Sequence, residues 1–372
     1  MKINIMHVLY SFGLGGLEGG ITSLIDTMDQ DRFSHSICVF KGDLASLKKI
    51  KSTNIKVYVV KRFFGNDPSL IFRLCAFLKR HRPDIVRTYN WAGVEGIIAA
   101  RLCGIRAVIH SEHGFDIDEI SRKKARRVLA RRLVLPRCDR IIAVARSLQR
   151  WLIDDVGIKS ERVAYIPNGC DVARFYPGKD AGLRRNLGIE DDEAVIGTVG
   201  SLTGLKDQKS LLEAFAKVSA GRQRLKLLIV GQGPLRKDLE ALAKQLVVRE
   251  CTVFTGAVAE SAPYYRAMDI FVLPSISENM PNALLQAMAT ALPVIATDVG
   301  DVRYMTDGEK GGMLVKPKDV LAIEKGIGYF LDDPAAAKDR GGFARKRVEQ
   351  GFDIRDTAKK YESLYVSAVG GG

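Results

Sequence analysis

The feature that most constrains this chain is an alternation that runs through it twice. Apolar runs of strand length occur at Ile3–Tyr10, Ser36–Phe40, Ile55–Val60, Asp84–Thr88, Arg106–His110 and Asp139–Val144, separated by amphipathic stretches such as Pro68–Arg82 and Ala92–Cys103. The turn-rich Ile166-Pro167-Asn168-Gly169-Cys170-Asp171 breaks the series. It resumes with Ala194–Gly200, Leu225–Gly231, Thr252–Gly256, Asp269–Leu273 and Pro293–Thr297, and helical patterning runs from about Val320 to Ser367. Strands alternating with helices imply parallel sheets covered on both faces. A length of 372 residues suits two such domains. The expected division is 1–172 and 173–352, with a last helix at about 353–368 packing back on the first domain. Open αβ sheets bind ligands beyond the carboxyl ends of their strands. Two domains facing across a cleft would therefore suit a reaction between two substrates.

A hydrophobic content of 47% and a charged content of 27% are globular values. No apolar run approaches the roughly 20 residues of a membrane span. The opening Met1–Tyr10 reads as a buried first strand, not a signal peptide, because its apolar part is short, includes His7 and leads into glycines. The six cysteines show neither C-x-x-C nor zinc-finger spacing, which fits single thiols in a reducing, cytoplasmic setting. Residues 1–170 hold 29 Lys and Arg against 16 Asp and Glu, whereas the remainder holds 28 against 27. The first half therefore attracts anions: phosphate-bearing acceptors, an acidic lipid surface or nucleic acid. No nucleic-acid-binding module is present to favour the last.

Three strand-to-turn junctions carry chemistry. The first strand runs into Gly13-Leu14-Gly15-Gly16-Leu17-Glu18, where glycines and a helix N-terminus suit an anion, although Glu18 replaces the third glycine of a dinucleotide fingerprint. Leu225–Val230 runs into Gly231-Gln232-Gly233-Pro234, for which a structural turn and phosphate contact are equally good readings. Ile270–Leu273 leads into Glu278-Asn279-Met280-Pro281-Asn282-Ala283, with Pro281 placed for the first turn of a helix. Amides of residues 280–284 would hold a phosphate or sugar hydroxyls, and Glu278 would accept from hydroxyls.

Taken in order, these pieces resemble glycosyltransferase family 4, the retaining group with the GT-B fold. The resemblance rests on Gly15-Gly16-x-Glu18, His113 in Ser111-Glu112-His113-Gly114, Asn168-Gly169-Cys170-Asp171 and Gly200-Ser201-Leu202 with Lys206. It continues with Gly231-x-Gly233-Pro234, the Glu278 loop and Leu292–Thr297 followed by Asp298-Val299-Gly300. It implies an α/β fold of two Rossmann-like domains, the first binding an acceptor and the second a nucleotide sugar, UDP- or GDP-linked. No metal or other cofactor is implied. His113 and Glu278 would act at the reacting sugar. Gly15, Gly16, Ser201, Lys206, Gly231, Asn279, Met280, Pro281, Asn282, Ala283 and Gln286 would line the donor site, with Lys206 on the diphosphate. Two positions depart from the family pattern: Ser201 stands where Arg is usual, and Gln286 where a second Glu binds ribose hydroxyls. Loss of one Arg–phosphate contact costs about 1.5–3 kcal/mol unless a cation such as Lys209 or Arg236 replaces it.

The expected product is a cell-envelope or exported polysaccharide built on a glycan or lipid-linked acceptor. The run Arg122–Arg132 mixes cations and apolar residues at helical spacing, as a helix on an anionic membrane or a snorkelling surface helix would. The expected location is cytoplasmic, and the first of these two readings would add peripheral contact with the inner face of the plasma membrane. Asp116-Ile117-Asp118 reads as a loop, and a hydrolase pair of Glu112 with Asp116 does not fit the double αβ pattern. A non-catalytic nucleotide-sugar binder and a two-domain epimerase are the competing readings.

Overall fold

A computed structural model describes residues 2–13, 15–42, 55–63, 65, 67–114 and 124–370. The chain forms two compact units, Met1–Asn168 with Ile354–Gly372, and Gly169–Asp353. The first holds the strands β1 (Ile3–Leu9), β2 (Phe33–Val39), β3 (Lys56–Val59), β4 (Ile85–Tyr89), β5 (Ala107–Glu112), β6 (Arg140–Ala143) and β7 (Val163–Tyr165). They pair in parallel in the order β3-β2-β1-β4-β5-β6-β7. The second unit holds β8 (Ala194–Val199), β9 (Leu225–Val230), β10 (Thr252–Gly256), β11 (Ile270–Leu273), β12 (Val294–Thr297) and β13 (Met313–Val315). These are also parallel, in the order β10-β9-β8-β11-β12-β13. Both units are thus Rossmann-like α/β sheets.

Central strands are apolar because both faces are covered; every residue of β4, β5, β11 and β12 is buried. The covering helices follow from spacing. Ser69–His81 buries Leu70, Leu74 and Leu78, one residue per turn, and ends in Lys79, Arg80 and His81, cations that suit a helix C-terminus. Arg82 then turns left-handed (φ 44°) ahead of Pro83, which stops the helix. Two edge strands, β7 and β13, were absent from the sequence reading: each is three residues long and too short to show a period.

The C-terminal patterning resolves into three helices, Val320–Asp332, Pro334–Gly351 and Ile354–Gly370. Asp319 and Asp333 cap the first two by accepting from Ala322 N and Ala336 N. The last helix packs Ile354, Ala358, Tyr361 and Tyr365 with Ile5, Phe33, Ile85 and Ile109 of the first unit. Where the chain enters the second unit, the Cys170 amide donates to the Phe352 carbonyl at 2.8 Å, so the incoming and outgoing segments run side by side.

Candidate active site

In the second unit, the ends of β8, β9, β11 and β12 hold one another through backbone contacts. Gly231 adopts φ 147°, and a Cβ there would fall 1.8 Å from the Gly200 carbonyl oxygen. One at Gly233 would fall 2.3 Å from the Leu202 carbonyl. The Leu202 amide donates to the Gln232 carbonyl at 3.1 Å. The glycines of this turn therefore have a packing reason: they let two strand-end loops touch.

The loop after β11 is pinned from two sides. Ile276 N donates to the Leu205 carbonyl at 2.8 Å, which ties it to the Lys206 loop. From the β12 side, Thr297 Oγ1 donates to the Ser275 carbonyl at 2.6 Å and Asp301 N to the Asn279 carbonyl at 2.9 Å. Gly300, at φ 57°, allows this approach, since a Cβ there would lie 2.2 Å from the Glu278 carbonyl. So held, Glu278 Oε1 accepts from Ser275 Oγ at 2.8 Å and from Lys206 Nζ. The Lys206 side chain is 30% exposed and that of Glu278 9%, so the pair is part-buried and is not a solvated surface bridge.

The helix that follows is Asn282–Ala289, with Pro281 at its N-cap, one residue earlier than a first-turn proline. Asn279, Met280 and Pro281 are buried. Along the helix only Asn282, Ala283 and Gln286 are less than buried, and they share one face. Gln286 Oε1 accepts from Tyr265 Oη at 2.9 Å. Ser201 is exposed, and its carbonyl accepts from Gln208 Nε2 at 3.1 Å. The two cations considered as substitutes for an arginine there are engaged otherwise: Arg236 with Glu240 and the Phe254 carbonyl, and Lys209 with Glu213.

In the first unit, Gly15 is the N-cap of Gly16–Thr27. Glu18 curls back on it, its carboxylate against the amides of Gly13 and Glu18 itself. Burial raises this carboxyl, and those amides oppose the rise. The helix end thus carries an acid of its own at the place where the sequence reading seats an anion.

His113 directly follows β5. Its amide donates at 2.7 Å to Asn90 Oδ1, and Asn90 is left-handed (φ 48°). Its ring lies 5.5 Å from that of Tyr89, and its Nε2 is enclosed with no hydrogen-bond partner among the described residues. Burial, with the nearby Arg87 charge, holds the imidazole down to about 3. At neutral pH it is uncharged, able to hydrogen-bond a hydroxyl but with too low a basicity to take its proton.

Glu112 is committed elsewhere. Arg131 Nε donates to it at 2.6 Å, and His110 Nε2 lies 3.2 Å away. Burial would raise the carboxyl, but Arg131 overrides it and holds Glu112 down to about 2. This buried ion pair is not half of a hydrolytic pair. Asp116, Asp118, Arg122 and Lys123 lie outside the described residues. Of the basic run, Arg131 is buried between Trp91 and Trp151, while Leu129 and Leu133, one turn apart, are 55% and 60% exposed.

Sequence reasoning missed Tyr265, Asn90 and Arg87. None belongs to a motif. The signal available was a polar or cationic residue inside a strand-length apolar run, as at Arg87. Among the described residues, no three His, Cys, Asp or Glu side chains gather as a metal site would require, and no helix is long and apolar enough to cross a membrane.

Comparison with known proteins adds the following. Residues 14–174 match the family model described as Glycosyltransferase Family 4, and residues 193–333 the one described as Glycosyl transferases group 1. The chain is 26% identical over 383 residues to the UDP-Gal:alpha-D-GlcNAc-diphosphoundecaprenol alpha-1,3-galactosyltransferase of Escherichia coli, covering 99% of this chain and 98% of that one. It is 30% identical over 332 residues to a D-inositol 3-phosphate glycosyltransferase of Geodermatophilus obscurus, with 79% and 73% covered. Its fold matches the crystal structure of Anabaena Alr3699/HepE in complex with UDP-glucose with a TM-score of 0.85, at 19% identity and 98% and 99% coverage.

Proposed function

Starting from the premise that this chain belongs to glycosyltransferase family 4, we propose that it is a retaining, metal-independent hexosyltransferase. It moves a sugar from a nucleotide-sugar donor to a glycan or lipid-linked acceptor in cell-envelope or exopolysaccharide biosynthesis. The observation that carries this is the Lys206–Glu278 pair, built by two loops that are stitched by the Ile276–Leu205 hydrogen bond.

When the bond from the anomeric carbon to the donor breaks, negative charge grows on the departing diphosphate. Lys206 has three N–H donors; Glu278 takes one and fixes the direction of the others. The N-terminal end of Asn282–Ala289 follows the same loop and brings the positive end of its dipole to it. Together they offset the growing charge. Glu278 accepts from a hydroxyl of the transferred sugar; in the first unit, neutral His113 is suited to hydrogen-bond a hydroxyl and not to take its proton. In a front-face reaction the leaving phosphate itself takes the acceptor's proton. Asn279, Met280 and Pro281 set the loop, and Gly231 lets its walls close up; at Gly15 and Gly16 the first unit's helix end is already met by the Glu18 carboxylate. The Escherichia coli relative is named for a UDP-sugar donor and a lipid diphosphate acceptor, and HepE was solved with UDP-glucose, which favours a UDP-sugar here. The basic first unit fits an anionic acceptor at the cytoplasmic membrane face, with Leu129 and Leu133 as the apolar contact.

A panel of UDP- and GDP-sugars read by thermal shift, followed by transfer to a lipid diphosphate, tests the reading. One donor class should raise Tm and support transfer. Binding without transfer to any glycan or lipid acceptor would favour a non-catalytic subunit, the reading supported by the exposed, uncharged Ser201. Release of an epimerised sugar without acceptor would identify an epimerase.

A further inference from the structure

The first sheet ends unevenly, and one side chain makes up the difference. Strand β4 pairs with β5 as far as Tyr89 opposite Ser111. In a parallel ladder each residue donates to one carbonyl of the neighbouring strand and accepts from the amide two residues further on. Asn90 keeps the first half of this pattern: its amide donates to the Ser111 carbonyl at 2.9 Å. The second half would bring its own carbonyl to the His113 amide. That carbonyl is turned away, because Asn90 is left-handed (φ 48°) and accepts from Gly93 N at 3.0 Å, at the start of the helix Gly93–Leu102. The carboxamide takes its place, with Oδ1 accepting from His113 N at 2.7 Å. Among the described residues the His113 amide has no other acceptor. An asparagine meets both demands, since it tolerates the left-handed region and its side-chain oxygen can mimic a backbone carbonyl. The rest of this strand end is fixed independently: the Glu112 carboxylate accepts from Arg131, and the Glu112 carbonyl from Val144 N. His113 is therefore the residue whose place depends on Asn90.

We propose that Asn90 is the positioning residue of His113: by completing the β4–β5 ladder with its side chain, it sets where the imidazole stands beyond the strand. The inference rests on the reading of His113 given above and adds the group that aims it. The ring has one wall in Tyr89, 5.5 Å away, and its Nε2 has no partner among the described residues. Neither fixes the ring along the strand direction. With the His113 amide released, the backbone could turn about Glu112 and carry the imidazole with it. A hydrogen bond from the ring to a sugar hydroxyl would then lose its geometry, and a misplacement of about 1 Å can cost about 10²-fold in rate.

Two substitutions separate the side-chain oxygen from the backbone turn. Asn90→Gly adopts the left-handed conformation without strain but has no oxygen to offer. Asn90→Asp keeps an acceptor there and still tolerates the turn. The imidazoles are to be read by two-bond proton–nitrogen NMR near neutral pH. The chain has 5 histidines, few enough for His113→Gln to assign the His113 signal. Asn90→Gly should shift or broaden that signal and leave the others in place, while Asn90→Asp should keep the wild-type tautomer pattern. In transfer assays with the donor and acceptor that wild type uses, Asn90→Gly should lower kcat about 10-fold or more with donor KM within about twofold. Asn90→Asp should recover to within about threefold of wild type. A glycine variant with the wild-type His113 signal and kcat would overturn the proposal. So would equal losses of kcat and Tm in both variants, the mark of a residue that serves folding alone. If His113→Gln transfers sugar as wild type does, the reading of His113 fails, and the NMR measurement still decides whether Asn90 aims its ring.

Discussion

Lys206 and Glu278 are 72 residues apart in sequence and share a hydrogen bond in space. Each has a distinct expected loss. Lys206→Ala removes a cation from the leaving group's side and should lower kcat by about 10²-fold or more, while Glu278→Ala should lower it comparably by freeing both the sugar hydroxyl and the ammonium. Far-UV circular dichroism should stay unchanged, since neither side chain fills a core. Near-wild-type turnover in both variants would remove the proposed donor site. The residue scale also shows why the sequence could name these two and not Tyr265. Lys206 and Glu278 recur at set places in a motif order. Tyr265 meets Gln286 because of where its hydroxyl ends, which depends on Phe175 and Phe271 closing around its ring.

At the scale of elements, the strand-end loops of the second unit stand on backbone-to-backbone contact. Gly231→Ala places a methyl carbon inside the Gly200 carbonyl and strains a φ of 147°. It should destabilise by about 2–4 kcal/mol, seen as a lower urea midpoint, and should raise donor KM by moving the Lys206 loop. An alanine variant as stable as wild type would show that the two loops can part at no cost. In the first unit, the helix Lys124–Val134 turns Arg131 inward to Glu112 and leaves Leu129 and Leu133 outward. Leu129→Ser with Leu133→Ser should reduce sedimentation with vesicles rich in anionic lipid several-fold, without altering transfer to a soluble acceptor analogue. Unchanged sedimentation would assign those leucines to some other contact. The periodicity of this helix was legible beforehand. That one of its arginines is buried was not, because Glu112 lies on a strand of its own and only the fold brings them together.

For the molecule as a whole, the first unit encloses a set of titratable groups around buried Arg87. Arg87 donates to Tyr365 Oη at 2.7 Å and lies 4.1 Å from the centre of the Tyr361 ring, both on the C-terminal helix. His7 lies 2.6 Å from Tyr89 Oη and 3.0 Å from His35 Nδ1. Burial lowers His7 well below 6.5, and with Arg87 it brings His35 to about 4 and His113 to about 3. In the unfolded chain these histidines take up protons below about pH 6.5, whereas the folded protein refuses them. Their contribution is thus fully present above that pH and lost as pH falls towards 4 and 3. Glu112 acts in the same direction lower down: its contribution is present above the unfolded carboxyl value, near 4.3, and is lost as pH falls to about 2. Calorimetric Tm should therefore drop steadily from pH 7 to pH 4, and a level profile across that range would contradict the burial of these imidazoles. Tyr365→Phe leaves Arg87 short of a buried partner and should cost about 1–3 kcal/mol, read as an earlier chemical unfolding midpoint.

The sequence by itself determined the class of fold, the twofold alternation and the order of the strand-end turns. Those follow from period, apolarity and turn chemistry, which are properties of neighbours along the chain. It also placed Lys206, Glu278 and the helix after Pro281 near the right strand ends, since strand-to-helix turns sit at the carboxyl edge of a parallel sheet. Tertiary structure decided the rest: that Glu278 rather than solvent receives Lys206, that Glu112 is consumed by Arg131, and that Tyr265 donates to Gln286. Each of these is a pairing between groups tens of residues apart. Their energies depend on burial and on hydrogen-bond direction, which exist only once the sheets have closed over them.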